Sequence, residues 1–126
     1  MGLVLDSGGL IAFDRGDRGV AALVEATRRR RERIVTSSGC VARAWRGGGA
    51  RQALLARLLR GLNEHGLGAD VSRRVGEVCD DAGLRDVVDA HLALLAHDDD
   101  VVLTSDVDDV SVLIRTTGST AEVRRC

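Results

Sequence analysis

The chain has 126 residues, 44% of them hydrophobic, and a formal net charge of −1. That is enough apolar material for one domain spanning residues 1–126, and any attraction to nucleic acid must rest on local Arg patches rather than on global charge. All 18 basic residues are Arg, so the chain lacks the Lys that a P-loop or a Schiff base requires, and its two aromatics, Phe13 and Trp45, argue against rows of stacked aromatic side chains.

In chain order, Leu3, Val4 and Leu5 make an apolar run too short for a helix and rich enough for a buried strand. Asp6 stops it, and residues 8–14 resume at helical spacing. RGDRG, residues 15–19, is a turn. Val20, Leu23, Val24 and Thr27 then share one helix face. That helix runs into Arg28, Arg29, Arg30, Arg31 and Arg33, a solvated end that suits the helix dipole. Ile34, Val35 and Thr36 form a second strand. Ser37 or Ser38 caps a helix over residues 39–46, which Gly47 to Gly49 end. Leu54, Leu55, Leu58 and Leu59 mark another helix, forming an αα-hairpin with the one before.

Residues 61–67 carry a weak strand signal. Asp70 or Ser72 opens a helix that turns Val71, Val75, Val78 and Cys79 inward, with Gly83 as its C-cap. DVVDAHLALLAH, residues 86–97, reads as a helix with Val88, Leu92 and Leu95 on one face. Asp98 to Asp100 lack the spacing of a calcium loop and read as a solvated turn. Val101, Val102 and Leu103 form the next strand. Ser105 and Asp108 fit a capping box, Val110, Leu113 and Ile114 continue as a helix, and residues 121–125 are a last edge strand. Strands alternate with helices throughout, which predicts an α/β fold with a mainly parallel sheet of four to five strands.

The carboxylates carry the chemistry. Asp6 follows the first strand and Asp106 follows the strand at 101–103. If the two strands are parallel, both acids emerge at one sheet edge, the usual place for a site in an open α/β sheet. Asp89 lies on the helix leading into the later strand. Three acids in one cleft repel one another unless a divalent cation sits among them, and oxygen-only ligands suit Mg²⁺ or Mn²⁺. Taken alone, Asp6 is equally well read as the N-cap of the next helix. His65, His91 and His97 have no Ser or Cys partner at a recognisable spacing and read as packing or surface residues. Cys40, Cys79 and Cys126 show no metal-binding pattern; the first two read as core residues and the third as a free thiol. No secretory segment and no apolar run near 20 residues is present, so the expectation is a soluble cytoplasmic protein with no membrane partner.

Three blocks in order, VLDSGGLIAF, VVDAHLALLA and VVLTSDVDDV, resemble the signatures of PIN domains, and more narrowly those of VapC-like toxins of type II toxin–antitoxin systems. SGCVARAWRGGGARQALLARLL resembles the middle region of one VapC-like branch. The resemblance implies a three-layer α/β/α sandwich and a Mg²⁺- or Mn²⁺-dependent endoribonuclease acting on RNA. It also implies a cognate antitoxin that covers the active site, and a homodimer. It assigns metal binding to Asp6, Asp89, Asp106 and Asp109, with catalysis resting on the first three. Thr104 and Ser105 stand as supporting residues that hydrogen-bond a carboxylate or the scissile phosphate.

One position departs from the pattern. The family usually has an acid in the helix after the second strand, and here that position holds Arg43. A fixed positive charge there opposes a cation, pairs with Asp6 or Asp106, or holds a substrate phosphate. This opens a second reading, a catalytically weak or inactive PIN-like binding module. A receiver-like phosphoacceptor domain, which also gathers acids on parallel strands, is disfavoured by the absence of Lys. An antitoxin segment is expected in an apolar groove between the helix at 20–27 and the leucines at 54–59.

Overall fold

The computed structural model describes residues 1–126, and its centre is a five-stranded, fully parallel sheet. The strands are β1 (Leu3–Leu5), β2 (Ile34–Ser37), β3 (Asn63–His65), β4 (Val101–Thr104) and β5 (Glu122–Arg125), in the order β3-β2-β1-β4-β5. Every residue of β1, β2 and β4 is buried, as inner strands covered on both faces require. β3 is exposed along its length, and its polar side chains suit an edge whose backbone alone pairs with Val35 to Ser37.

The helices are α1 (Ser7–Asp14), α2 (Arg18–Arg29), α3 (Ser38–Ala44), α4 (Ala53–Gly61), α5 (Ala69–Ala82), α6 (Val87–Leu95) and α7 (Val107–Thr116). A single 3-10 turn, Ala50–Gln52, leads into α4. α1, α2 and α4 pack together on one face of the sheet; α5, α6 and α7 pack together on the other. The result is a three-layer α/β/α sandwich. The chain crosses from β3 back over β1 to β4, so the strand order reverses between β1 and β4. In open α/β sheets, the carboxyl ends of strands at such a reversal frame the ligand crevice.

Several boundaries differ from the sequence expectation, each for a local reason. α3 stops at Ala44 because Trp45 takes an extended backbone, φ −74° and ψ 132°. α3 and α4 do not form a hairpin; each packs on α1 instead. α5 starts at Ala69 with no side-chain cap, although Gly83 ends it in the left-handed conformation expected of it. Asp106, not Ser105, caps α7: its Oδ1 accepts the Asp109 N–H at 3.3 Å. The turn at Asp98 to Asp100 is not wholly solvated either, because Asp100 is buried at 2% exposure. No helix is long and apolar enough to cross a membrane.

Candidate active site

β1 and β4 deliver two acids to the same edge. Asp6 follows β1 directly and is buried. Its Oδ1 accepts the Gly9 N–H at 2.8 Å and so caps α1, while Oδ2 accepts the Ser105 N–H at 3.3 Å, across from β4. The capping and site readings of Asp6 therefore hold together: one carboxylate fixes the first helix and ties it to the loop that carries Asp106. The approach is close. A Cβ at Gly8 would stand 2.6 Å from Ser105 Oγ and 3.1 Å from Asp6 Oδ1, so only glycine leaves room for this junction.

The rest of the β4 loop is organised by backbone donors. The Thr104 hydroxyl is buried and accepts the Asp106 N–H at 2.9 Å, so it shapes the loop. Ser105 is exposed and meets the Asp6 carboxylate through its N–H rather than its hydroxyl. Asp106 and Asp109 are exposed, one turn apart at the start of α7.

Asp89 enters from α6 on the opposite layer. It is buried, and its carboxylate accepts no hydrogen bond from the chain. Its pKa is pushed up to about 6, first by loss of water, then by the charge of Asp86, and further by Asp6 and Asp106; Arg43 works the other way. Asp6, Asp89 and Asp106 thus share one electrostatic field. The Cys40 thiol, fully buried in α3, is pushed up to about 12 by burial and then by the charges of Asp6 and Asp89.

Arg43 binds neither Asp6 nor Asp106, the partners the sequence suggested. Its Nη2 donates to both oxygens of Asp86, at 3.1 and 3.0 Å, and its Nη1 stands 3.8 Å from Asp89 Oδ1. Asp86 also caps α6 by accepting the Val88 and Asp89 N–H groups at 3.0 Å each. Partial burial opposes its ionisation, but the Asp89 N–H and the Arg43 guanidinium outweigh that and hold the carboxyl below the usual range. Asp86 is therefore both a helix cap and the anchor for Arg43. No three His, Cys, Asp or Glu side chains are grouped as they would be around a metal ion.

One polar pair escaped sequence reasoning. His91 is buried, and its Nδ1 lies 2.9 Å from Ser37 Oγ, which also caps α3 by accepting the Gly39 N–H at 3.1 Å. Burial lowers the His91 pKa, with His65 adding to the effect and Asp70 opposing it. The pair joins β2 to α6 across 54 residues, a separation that no spacing rule reads. No protein-family model matches this chain, and no curated protein matches it.

Proposed function

We propose that this chain is a divalent-metal-dependent endoribonuclease, the toxin of a toxin–antitoxin pair, hydrolysing RNA phosphodiester bonds in the cytoplasm. The observation that carries the reading is the position of Asp6 and Asp106 after adjacent parallel strands, at the reversal of strand order, with buried Asp89 facing them from α6. The donors are of the kind a hard cation such as Mg²⁺ or Mn²⁺ takes, carboxylate oxygens only, and one of them, Asp89, has no hydrogen-bond donor from the chain and is held back from ionising by burial and by the charges of Asp86, Asp6 and Asp106. Asp6, Asp89 and Asp106 would hold the ion, with Asp109 at the rim. A bound ion would supply positive charge to the phosphate and lower the pKa of its water. Asp6, fixed by two N–H groups, keeps its oxygens in place without rearrangement. Asp89, which has no hydrogen-bond donor from the chain, would complete the ion's shell or orient the attacking water.

The second reading, a weak or inactive PIN-like binding module, is favoured by one observation. Arg43 already stands beside Asp89, so an ion would share that carboxylate with a fixed positive charge. Under either reading the cognate antitoxin is the expected partner, and a homodimer the expected assembly. Leucines on α2 and α4 support such a partner: Leu23 and Leu59 are only partly covered, and Leu54 is 37% exposed.

Incubating the purified protein with total RNA in Mg²⁺, Mn²⁺ or EDTA tests the reading. Cleavage that needs the metal and disappears in Asp6→Ala supports it. Cleavage that survives both EDTA and Asp6→Ala refutes it, and no cleavage in either metal leaves the binding module.

A further inference from the structure

Trp45 is the only tryptophan of a chain with no tyrosine, and 37% of its surface is exposed. The loop that presents it is firmly held. The Gln52 side-chain oxygen accepts the Arg46 and Gly48 N–H groups at 2.7 and 3.1 Å, and its amide donates to the Ala44 carbonyl at 2.9 Å. Gly48 sits at φ +66°, and a Cβ there would stand 2.2 Å from Cζ2 and Cη2 of the indole. Part of the ring thus rests on the Gly48 backbone, in a conformation that only glycine adopts readily. A lone exposed apolar side chain is unremarkable. An indole braced by a glycine and a three-bond glutamine clamp is pre-organised for contact.

The surrounding charge says with what. From Arg33 to Asn63 the sequence contains no Asp or Glu, and its charged residues are Arg33, Arg43, Arg46, Arg51, Arg57 and Arg60. Arg33 and Arg43 are paired with Asp100 and Asp86. The other four are exposed and form no ion pair. Arg46 folds back on the carbonyls of Ala42 and Trp45, at 3.3 and 2.6 Å, which keeps its guanidinium beside the Trp45 backbone. A partly exposed indole in a segment whose only charges are arginines, four of them unpaired, suits a single-stranded polyanion whose bases stack.

We propose that Trp45 is a stacking platform for one base of single-stranded RNA, with Arg46 and Arg51 taking the flanking phosphates. The proposal deepens the ribonuclease reading and rests on it for the choice of RNA. Arg43, two residues earlier, reaches Asp86 and Asp89, so a strand stacked here lies along the helix that borders the acid cluster.

The single tryptophan makes the test direct. The full chain is titrated in EDTA with a mixed-sequence single-stranded RNA 12-mer, following indole emission and its quenching by acrylamide. The expected result is altered emission and protection from acrylamide. Fluorescein anisotropy of the same RNA should show binding weakened on the order of ten-fold in Trp45→Ala and little in Trp45→Phe. Arg51→Ala should weaken binding and flatten its salt dependence. RNA binding with unchanged emission and equal affinity in the folded Trp45→Ala and Trp45→Phe variants overturns the proposal. So does an indole that only a protein partner protects. Because EDTA suppresses metal-dependent cleavage, binding in EDTA without cleavage on adding Mn²⁺ upholds the platform and removes the nuclease, whereas cleavage without indole protection removes the platform alone.

Discussion

The two ends of the sheet each bury a carboxylate, and they treat it in opposite ways. At the amino-terminal end, Asp100 is enclosed by donors: the Gly2 N–H at 2.9 Å, the His97 N–H at 2.8 Å and Arg33 Nη2 at 2.5 Å. Arg33 is itself tied to the Leu95 carbonyl at 2.8 Å. At the carboxyl-terminal end, Asp89 accepts no hydrogen bond, faces Asp6, Asp86 and Asp106, and has only Arg43 in partial compensation at 3.8 Å. A buried carboxylate ringed by donors stabilises the fold. One held without them resists ionisation, and acids perturbed in this way gather at functional sites more often than elsewhere. Burial alone does not distinguish the two acids; the donors around each do.

The largest expected effect breaks the comparison at Asp6. Asp6→Ala removes a proposed ligand and a helix cap together. RNA cleavage should fall by about 10³-fold, consistent with loss of a principal charge in a pre-organised site. Stability should fall by about 1–2 kcal/mol, for the lost cap and the longer, weaker tie to the Ser105 N–H. Single-turnover cleavage and urea unfolding on the same preparation check the two numbers. A stability loss large enough to unfold the chain would assign Asp6 to the fold alone.

Asp100→Ala strikes the other end. It strands two N–H groups and the Arg33 guanidinium, and should lower stability by about 2–3 kcal/mol, with cleavage per folded molecule unchanged. Asp89→Asn should do the reverse. The raised pKa means that the folded state resists ionisation of Asp89, whereas in the unfolded chain it ionises near the ordinary aspartate value of 3.8. Between about pH 4 and 6 the unfolded state holds fewer protons than the native state, so stability falls as pH rises through that window. Asp89→Asn removes the penalty. It should stabilise the chain by about 1–2 kcal/mol at pH 7 and by nothing at pH 4, while abolishing cleavage. Thermal unfolding at the two pH values decides it; equal gains at both would place the effect in packing rather than charge.

The sequence made the strands and the acids legible because both follow from short-range pattern. Val101, Val102 and Leu103 alternate with nothing polar, as a strand covered on two faces must, and an Asp after each central strand marks the sheet edge. What it did not show was which donors each acid would meet. Asp100 stands in a run of three aspartates and looks solvated, yet its partners Gly2 and Arg33 lie 98 and 67 residues away. Arg43 was legible as a departure, but its pairing with Asp86 depends on α3 and α6 meeting at the sheet edge, 43 residues apart in the chain. Ser37 and His91 are equally invisible to spacing. Local pattern places the elements; the charge balance of a site is set by long-range approach, which one sequence does not reveal.

The smallest expected effect concerns Arg43, the residue that makes the two ends partly alike. At an effective dielectric near 20, a unit charge and a divalent ion about 6 Å apart repel by about 5 kcal/mol. The Arg43 side chain is 44% exposed, so solvent screens most of that. About a fifth surviving still amounts to roughly five-fold in affinity. Arginine cannot shed its proton, so it relieves the repulsion only by moving, and Asp86 restrains that movement through two hydrogen bonds. Arg43→Gln should therefore tighten Mn²⁺ binding about five-fold, and Arg43→Glu, which adds an oxygen donor, should tighten it further. Arg33→Gln, at the other end of the sheet, should lower stability and leave Mn²⁺ affinity unchanged. Calorimetric titration of the three variants separates local from general electrostatics. If neither Arg43 substitution alters the dissociation constant, Arg43 serves Asp86 alone and the metal, if it binds, does not draw on Asp89.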